Sequence, residues 1–134
     1  MEVDFCLLAD RAEAVGGKLY VLGGAFDTIF AKQLPVIHKS LSVVIKLSFD
    51  AAEVDRDHDL RVIILDGDGH EVVAAGGPLH VGKNRLTPKG WPEGFLAVLN
   101  FENIKFEKFD TYGIRVLFNN TTHKTIRFRV AQIP

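Results

Sequence analysis

Apolar and polar residues alternate along much of this chain, in short runs with a period of two. From Ser40 to Phe49 every odd position is apolar, and every even position except Val44 is polar. A period of two sends successive side chains to opposite faces of a strand, so this segment is predicted to be a half-buried strand. No long segment has the 3.6-residue period of an amphipathic helix, which argues against a parallel α/β sheet.

Turn residues separate the runs and divide the chain into seven to nine predicted strands. The strand candidates are Val3–Ala9, Lys18–Leu22, Ala25–Phe30, Ser40–Phe49, Leu60–Leu65, Glu71–Ala75, Phe95–Phe101, Tyr112–Phe118 and Thr125–Val130. Asp66-Gly67-Asp68-Gly69 joins two of them, which indicates a hairpin. Residues 103–109 fit either a further strand or a connector over the core edge. Asp50–Asp57 could hold a single helical turn capped by Asp50.

This pattern predicts an all-β fold for residues 1–134 as a single domain, with at most one short helical turn. An antiparallel β-sandwich and a small barrel are the two compatible architectures. The connection Gly76–Glu93 is rich in glycine and proline and is predicted to be a loop. Because so long a loop crosses between sheets more easily than it fits a meander, we expect a sandwich with an Ig-like or C2-like Greek key.

Two glycine pairs shape the opening of the chain. Gly16-Gly17 suits a type I′ turn, which needs positive φ twice, and a continuous hairpin then places Val15 opposite Lys18 and Glu13 opposite Tyr20. The alternative is one helical turn over residues 10–15. Gly23-Gly24 is predicted to form a bulge or bend in the returning arm.

Composition and charge narrow the range of partners. The 134 residues include 16 basic and 17 acidic side chains, for a net charge of −1. A near-neutral chain has no long-range attraction to phosphate backbones or anionic membranes, so we expect no nucleic-acid or membrane partner. Low net charge also leaves little repulsion between copies, which favours self-association.

The single cysteine, Cys6, cannot form an internal disulfide, and the first residues lack the basic region of a signal peptide. We therefore expect a cytoplasmic protein. Cys6 lies between Phe5 and Leu7 in a strand that we expect to be central. Such a thiol is expected to have a raised pKa and to pack as a small hydrophobe, rather than act as a nucleophile.

The stretch LLADRAEAVGGKLYVLGGAFDTI, followed by Leu34-Pro35, SVVIKLSFDAAE and LRVIILDGDGHEV, resembles a family of short bacterial proteins of unknown function. Its members share an "LLAD…GKLYVLGGG-[WF]-D" opening and a "DEDG" hairpin. The resemblance implies a bacterial β-sandwich and carries no established activity onto any residue. This chain has Ala25 in place of a third glycine, and Gly67 where an acid is common.

Polar clusters offer weak metal candidates. Asp66, Asp68 and Glu71 begin like an EF-hand loop, but the acid required at its twelfth position is missing. A plain hairpin turn explains the same residues, because Asp-Gly supplies positive φ and bonds its own backbone. No two histidines have a zinc-ligand spacing, although His58 and His70 flank the same hairpin and could face each other across it.

The Gly76–Glu93 loop is the best candidate for a binding surface. It holds the only tryptophan, Trp91, together with Lys83, Arg85 and Lys89. Aromatic and basic residues on a loop are common at binding surfaces. The alternative is that Trp91 packs on the domain and pins the loop in place.

No catalytic pattern is present, so we expect neither an enzyme nor a cofactor. The predicted function is a non-catalytic interaction module that binds a protein partner or itself as a homodimer. Val44 on an otherwise polar face, and the apolar run Leu19–Leu22, motivate self-association. The alternative is a small-ligand or carbohydrate-binding sandwich that uses the Gly76–Glu93 loop.

Overall fold

The computed structural model describes residues 1–134 as nine strands, with no helix. The strands are β1 (Glu2–Val15), β2 (Lys18–Gly24), β3 (Thr28–Ala31), β4 (Val36–Phe49), β5 (Asp57–Leu65), β6 (Glu71–His80), β7 (Glu93–Phe106), β8 (Asp110–Phe118) and β9 (Thr121–Gln132). They form two sheets, which we name sheet A (order β2-β1-β4-β7) and sheet B (order β3-β9-β8-β5-β6). Every pair is antiparallel except β3 with β9. The predicted all-β sandwich is confirmed.

The core lies between the two sheets. Sheet A contributes the odd-numbered face of β4, from Leu41 to Phe49, which is fully buried. Sheet B contributes the inward side chains of β5 and β8, such as Ile64 and Ile114. Each fully buried side chain of this size contributes about 1.5–3 kcal/mol. The alternation in the sequence therefore follows the division between core and solvent.

The opening hairpin has the predicted register. Val15 is opposite Lys18 and Glu13 is opposite Tyr20, and Gly16 and Gly17 have the positive φ values, 59° and 76°, that a type I′ turn requires. The strand continues through residues 10–15, so the helical alternative is wrong. β1 pairs with β4 over residues 2–9 and with β2 over residues 9–15, so it changes partner at Ala9.

Two local predictions need correction. The segment Gly76–His80 is not loop: it is the end of β6, paired with β5, and the true loop covers residues 81–92. A strand tolerates Pro78 here because β6 is at the sheet edge, where its missing N–H breaks no ladder bond. Residues 50–56 form turns rather than a helical turn, with Asp50 accepting a bond from the Ala52 N–H at 2.9 Å.

Two open alternatives are settled by the strand bounds. Residues 103–106 continue β7, so this segment is strand rather than connector. The β1–β2 ladder runs without a shift to Gly24, so Gly23-Gly24 makes a bend at the end of β2 and no bulge. There the chain leaves sheet A, and it enters sheet B at β3.

No helix of the structure is long and apolar enough to cross a membrane.

Candidate functional site: the hairpin arm and the loop groove

The outer half of the first hairpin, residues 11–22, is named the arm. Ala12 is buried and packs with Ala9 and Val44 on the outer face of sheet A, where Leu19 and Val98 also contact this cluster. Val44 is 0% exposed. The prediction that Val44 contributes to an open apolar face is therefore wrong, because the arm covers it within the same chain.

The other side of the arm is open to solvent. Tyr20 is 57% exposed and Leu22 is 71% exposed, and Val15 on the same side is also exposed. β2 pairs only with β1, so its second edge is free along the whole strand. The arm thus offers apolar side chains and unpaired backbone groups at one place.

The loop over residues 81–92 is held by a carboxylate. Glu93 accepts bonds from the Asn84 N–H at 3.1 Å and the Thr87 hydroxyl at 2.9 Å. The Asp55 N–H donates to the carbonyl of Val81 at 2.9 Å, which joins the loop to the 50–56 turn. These bonds give the loop a defined shape.

Lys83, Arg85, Lys89 and Trp91 all line one groove of about 1090 Å³, so the structure brings the four predicted binding residues together. We call it the loop groove. Its other lining residues include Asp50, Asp55 and Glu93, and the prolines on either side of Trp91. Trp91 is 71% exposed, so the alternative that it pins the loop to the domain is wrong. Glu93 performs that role.

The Asp66 turn is closed by a lysine. The Lys108 ammonium group lies 3.0 Å from Asp66 and 2.9 Å from Asp68, between the two carboxylates where a cation would bind. Asp66 also accepts bonds from the His70 and Asp68 N–H groups. The His70 N–H and Lys108 lower the pKa of Asp66 to about 2. The turn is satisfied within the chain.

The remaining metal candidates are not assembled into a site. The third residue near Asp66 and Asp68 is His70 and not Glu71. His58 pairs with Leu79 at the far end of β5 from the turn that holds His70, so the expectation that they face each other is wrong. The His58 ring instead packs near Phe49 and Phe118.

Cys6 is partly buried in β1, which lies inside sheet A. Burial raises the pKa of its thiol to about 11. The predicted direction of this shift is confirmed. The thiol stays protonated at neutral pH, when it is a poor nucleophile.

A family model described as a family of unknown function, DUF6941, matches residues 4–131. The chain belongs to this family. The DUF6941 match spans both the arm and the loop groove, so both surfaces lie within the family domain. No curated protein matches the chain.

Three functional details of this DUF6941 chain were missed by sequence reasoning. Glu93 was counted as the end of a loop, although it holds that loop together. Lys108 is 40 residues from Asp68 in the chain, and no local pattern connects them. The cover over Val44 depends on β1 changing partner at Ala9, which lets Ala12 pack on Val44. The Lys108 and Val44 contacts join distant segments, and the Glu93 contacts span nine and six residues within the loop; a period-two pattern encodes none of them.

Proposed function

We propose that this protein is a non-catalytic interaction module that self-associates through the free edge of β2. The observation that supports this most is the combination of an open edge with Tyr20 and Leu22 exposed beside it. An exposed apolar edge strand is a template for pairing with another strand. A second copy of this chain supplies a strand of the same length and character.

The other three sheet edges carry features that oppose pairing. β3 has only four residues. β6 contains Pro78, which lacks the N–H that an added strand would use. β7 contains the charged residues Glu102 and Lys105 around Asn103, whose φ of 54° interrupts the extended backbone. In β2 the only charged residue is Lys18, at its start.

A two-fold dimer predicts a specific register. An interface between identical copies is self-complementary, so two β2 strands pair antiparallel about one residue. The centre of Lys18–Gly24 is Val21, which places Tyr20 of each copy opposite Leu22 of the other. Aromatic–aliphatic pairs across strands are stabilising, at about 0.2–1 kcal/mol each. The dimer would join two copies of sheet A into one continuous sheet.

Sedimentation mass tests the proposal. Wild-type protein should sediment at twice its 14.9 kDa chain mass. Leu22→Lys should give the monomer, because it places a charge opposite Tyr20 twice in each dimer. Adding Tyr20→Glu to Leu22→Lys should restore the dimer through two opposite-charge pairs.

The matched control is Ile37→Lys, since Ile37 on β4 is 57% exposed, like Tyr20, but pairs with Lys105 of β7 and not with either strand of the arm. This variant should keep the wild-type mass. A wild-type chain that stays monomeric at all concentrations would contradict the proposal. Equal loss of the dimer in Ile37→Lys would contradict the assignment to β2.

A further inference from the structure

The loop groove has basic side chains with no partner in the chain. Lys83, Arg85 and Lys89 form no ion pair and no side-chain hydrogen bond, unlike Lys108 at the Asp66 turn. Of the three acids that line the groove, Glu93 and Asp50 already accept hydrogen bonds from the chain, which leaves only the Asp55 side chain without a partner. Three unpaired cations against one unpaired carboxylate favour an anionic ligand.

Trp91 adds a flat apolar surface. Its indole contacts no other aromatic ring within stacking distance and is 71% exposed, between Pro88 and Pro92 on the groove wall. A large exposed aromatic side chain is a common anchor for a bound ring. Asp55 also lines the groove and makes no side-chain hydrogen bond, so its carboxylate is free to accept bonds from ligand hydroxyls.

We infer that the loop groove binds a small ligand in which a hydroxylated ring carries an anionic group. The ring lies on Trp91, and the anionic group contacts Lys83, Arg85 and Lys89. The hydroxyls of the ring donate to Asp55. Sugar acids and nucleoside phosphates share this chemistry. A groove of about 1090 Å³ has room for such a ligand.

This inference is independent of the self-association proposed above, because the groove contains no residue of the arm. The Leu22→Lys variant should therefore bind ligand as the wild type does. If the protein binds ligand but does not dimerise, the groove inference stands and the β2 proposal fails. If it dimerises but binds no ligand, the β2 proposal stands and the groove inference fails.

Fluorescence titration tests the inference, since Trp91 is the only tryptophan and its emission reports this groove alone. Two anionic ligands distinguish the two sources: a galacturonate trisaccharide and adenosine monophosphate. Their neutral counterparts are a galactose trisaccharide and adenosine. At least one anionic ligand should give a saturable change in emission, with its neutral counterpart at least about tenfold weaker.

Variants locate the binding. Arg85→Ala combined with Lys89→Ala should weaken binding by about tenfold or more, and the effect should shrink as salt is added. The control Lys39→Ala removes an exposed cation on β4 and should leave the affinity unchanged. In calorimetry, Trp91→Phe should retain most of the binding and Trp91→Ala should lose about tenfold or more.

Two results would overturn the inference. One is the absence of a saturable signal from either anionic ligand up to about 1 mM, where binding is already weak. The other is equal affinity for the anionic ligand and its neutral counterpart, which would show that the three cations do not take part.

Discussion

The β1–β2 and β5–β6 hairpins have the same strand–turn–strand plan, but their strands differ in how they are paired and in what their free edges carry. The β5–β6 hairpin lies within sheet B, and β5 pairs on both sides, with β6 and β8. Its turn is closed by Lys108, and its outer edge carries Pro78. In the β1–β2 hairpin, β1 pairs with β4 no further than Ala9, and β2 keeps an open apolar edge.

This difference between the two hairpins is the reason that the proposed interface is placed at β2. In the β5–β6 hairpin, β5 is paired on both sides and the free edge of β6 carries Pro78, so its sequence is explained by stability. In the arm, only the inner side is explained by stability, through the contact of Ala12 with Val44. Tyr20 and Leu22 are mostly exposed in the single chain, and the proposed second copy would cover them.

Substitutions in the two hairpins should separate these roles. Ile64→Ala in β5 removes a fully buried side chain and should lower the free energy of unfolding by about 2–5 kcal/mol, through lost burial and a cavity. Leu22→Ala should change the unfolding free energy of dilute protein by less than about 0.5 kcal/mol. Urea denaturation at low protein concentration measures both. A large loss in Leu22→Ala would mean that the arm is part of the core.

The neighbouring glycines Gly76 and Gly77 of β6 should differ in how much stability an alanine substitution costs, by less than the two substitutions above. Gly76 has a φ of 141°, and an added Cβ would collide with the carbonyl oxygen of Leu60. Gly76→Ala should therefore cost about 1–3 kcal/mol of stability. Gly77 has open space around it, so Gly77→Ala should stay within about 0.5 kcal/mol of wild type. Thermal unfolding compares the two, and equal melting temperatures would show that β5 and β6 are not so closely packed at Gly76.

Lowering the pH should test how much the Asp66 turn of the β5–β6 hairpin contributes to the stability of the fold. Because the pKa of Asp66 is lowered to about 2, its ionised form stabilises the folded state fully above the unfolded pKa of about 3.9. That contribution is lost as pH falls from about 4 towards 2. Asp66→Asn should be less stable than wild type at neutral pH, and the gap should narrow over this range. Melting temperatures measured across it provide the check, with Asp4→Asn as an exposed control.

The sequence was most informative where a local rule decides the structure. The type I′ register of Glu13 opposite Tyr20 follows from two glycines, and the β4 face follows from ten alternating residues. The four groove residues were also found, because one short loop holds them all. The packing of the arm over Val44 was not predictable, since it joins segments far apart in the chain. Pro78 misled the strand assignment, because proline signals a loop unless the strand lies at an edge.

Amide hydrogen exchange in β2 tests the central claim most directly. Alternate N–H groups of an antiparallel strand point to opposite sides, so one set bonds to β1 and the other faces the free edge. We measure exchange residue by residue at low and high protein concentration. The account predicts that the edge-facing set of Lys18–Gly24 becomes protected as concentration rises, while the set that faces β1 is protected throughout. Rapid exchange of the edge-facing set at every concentration would contradict it.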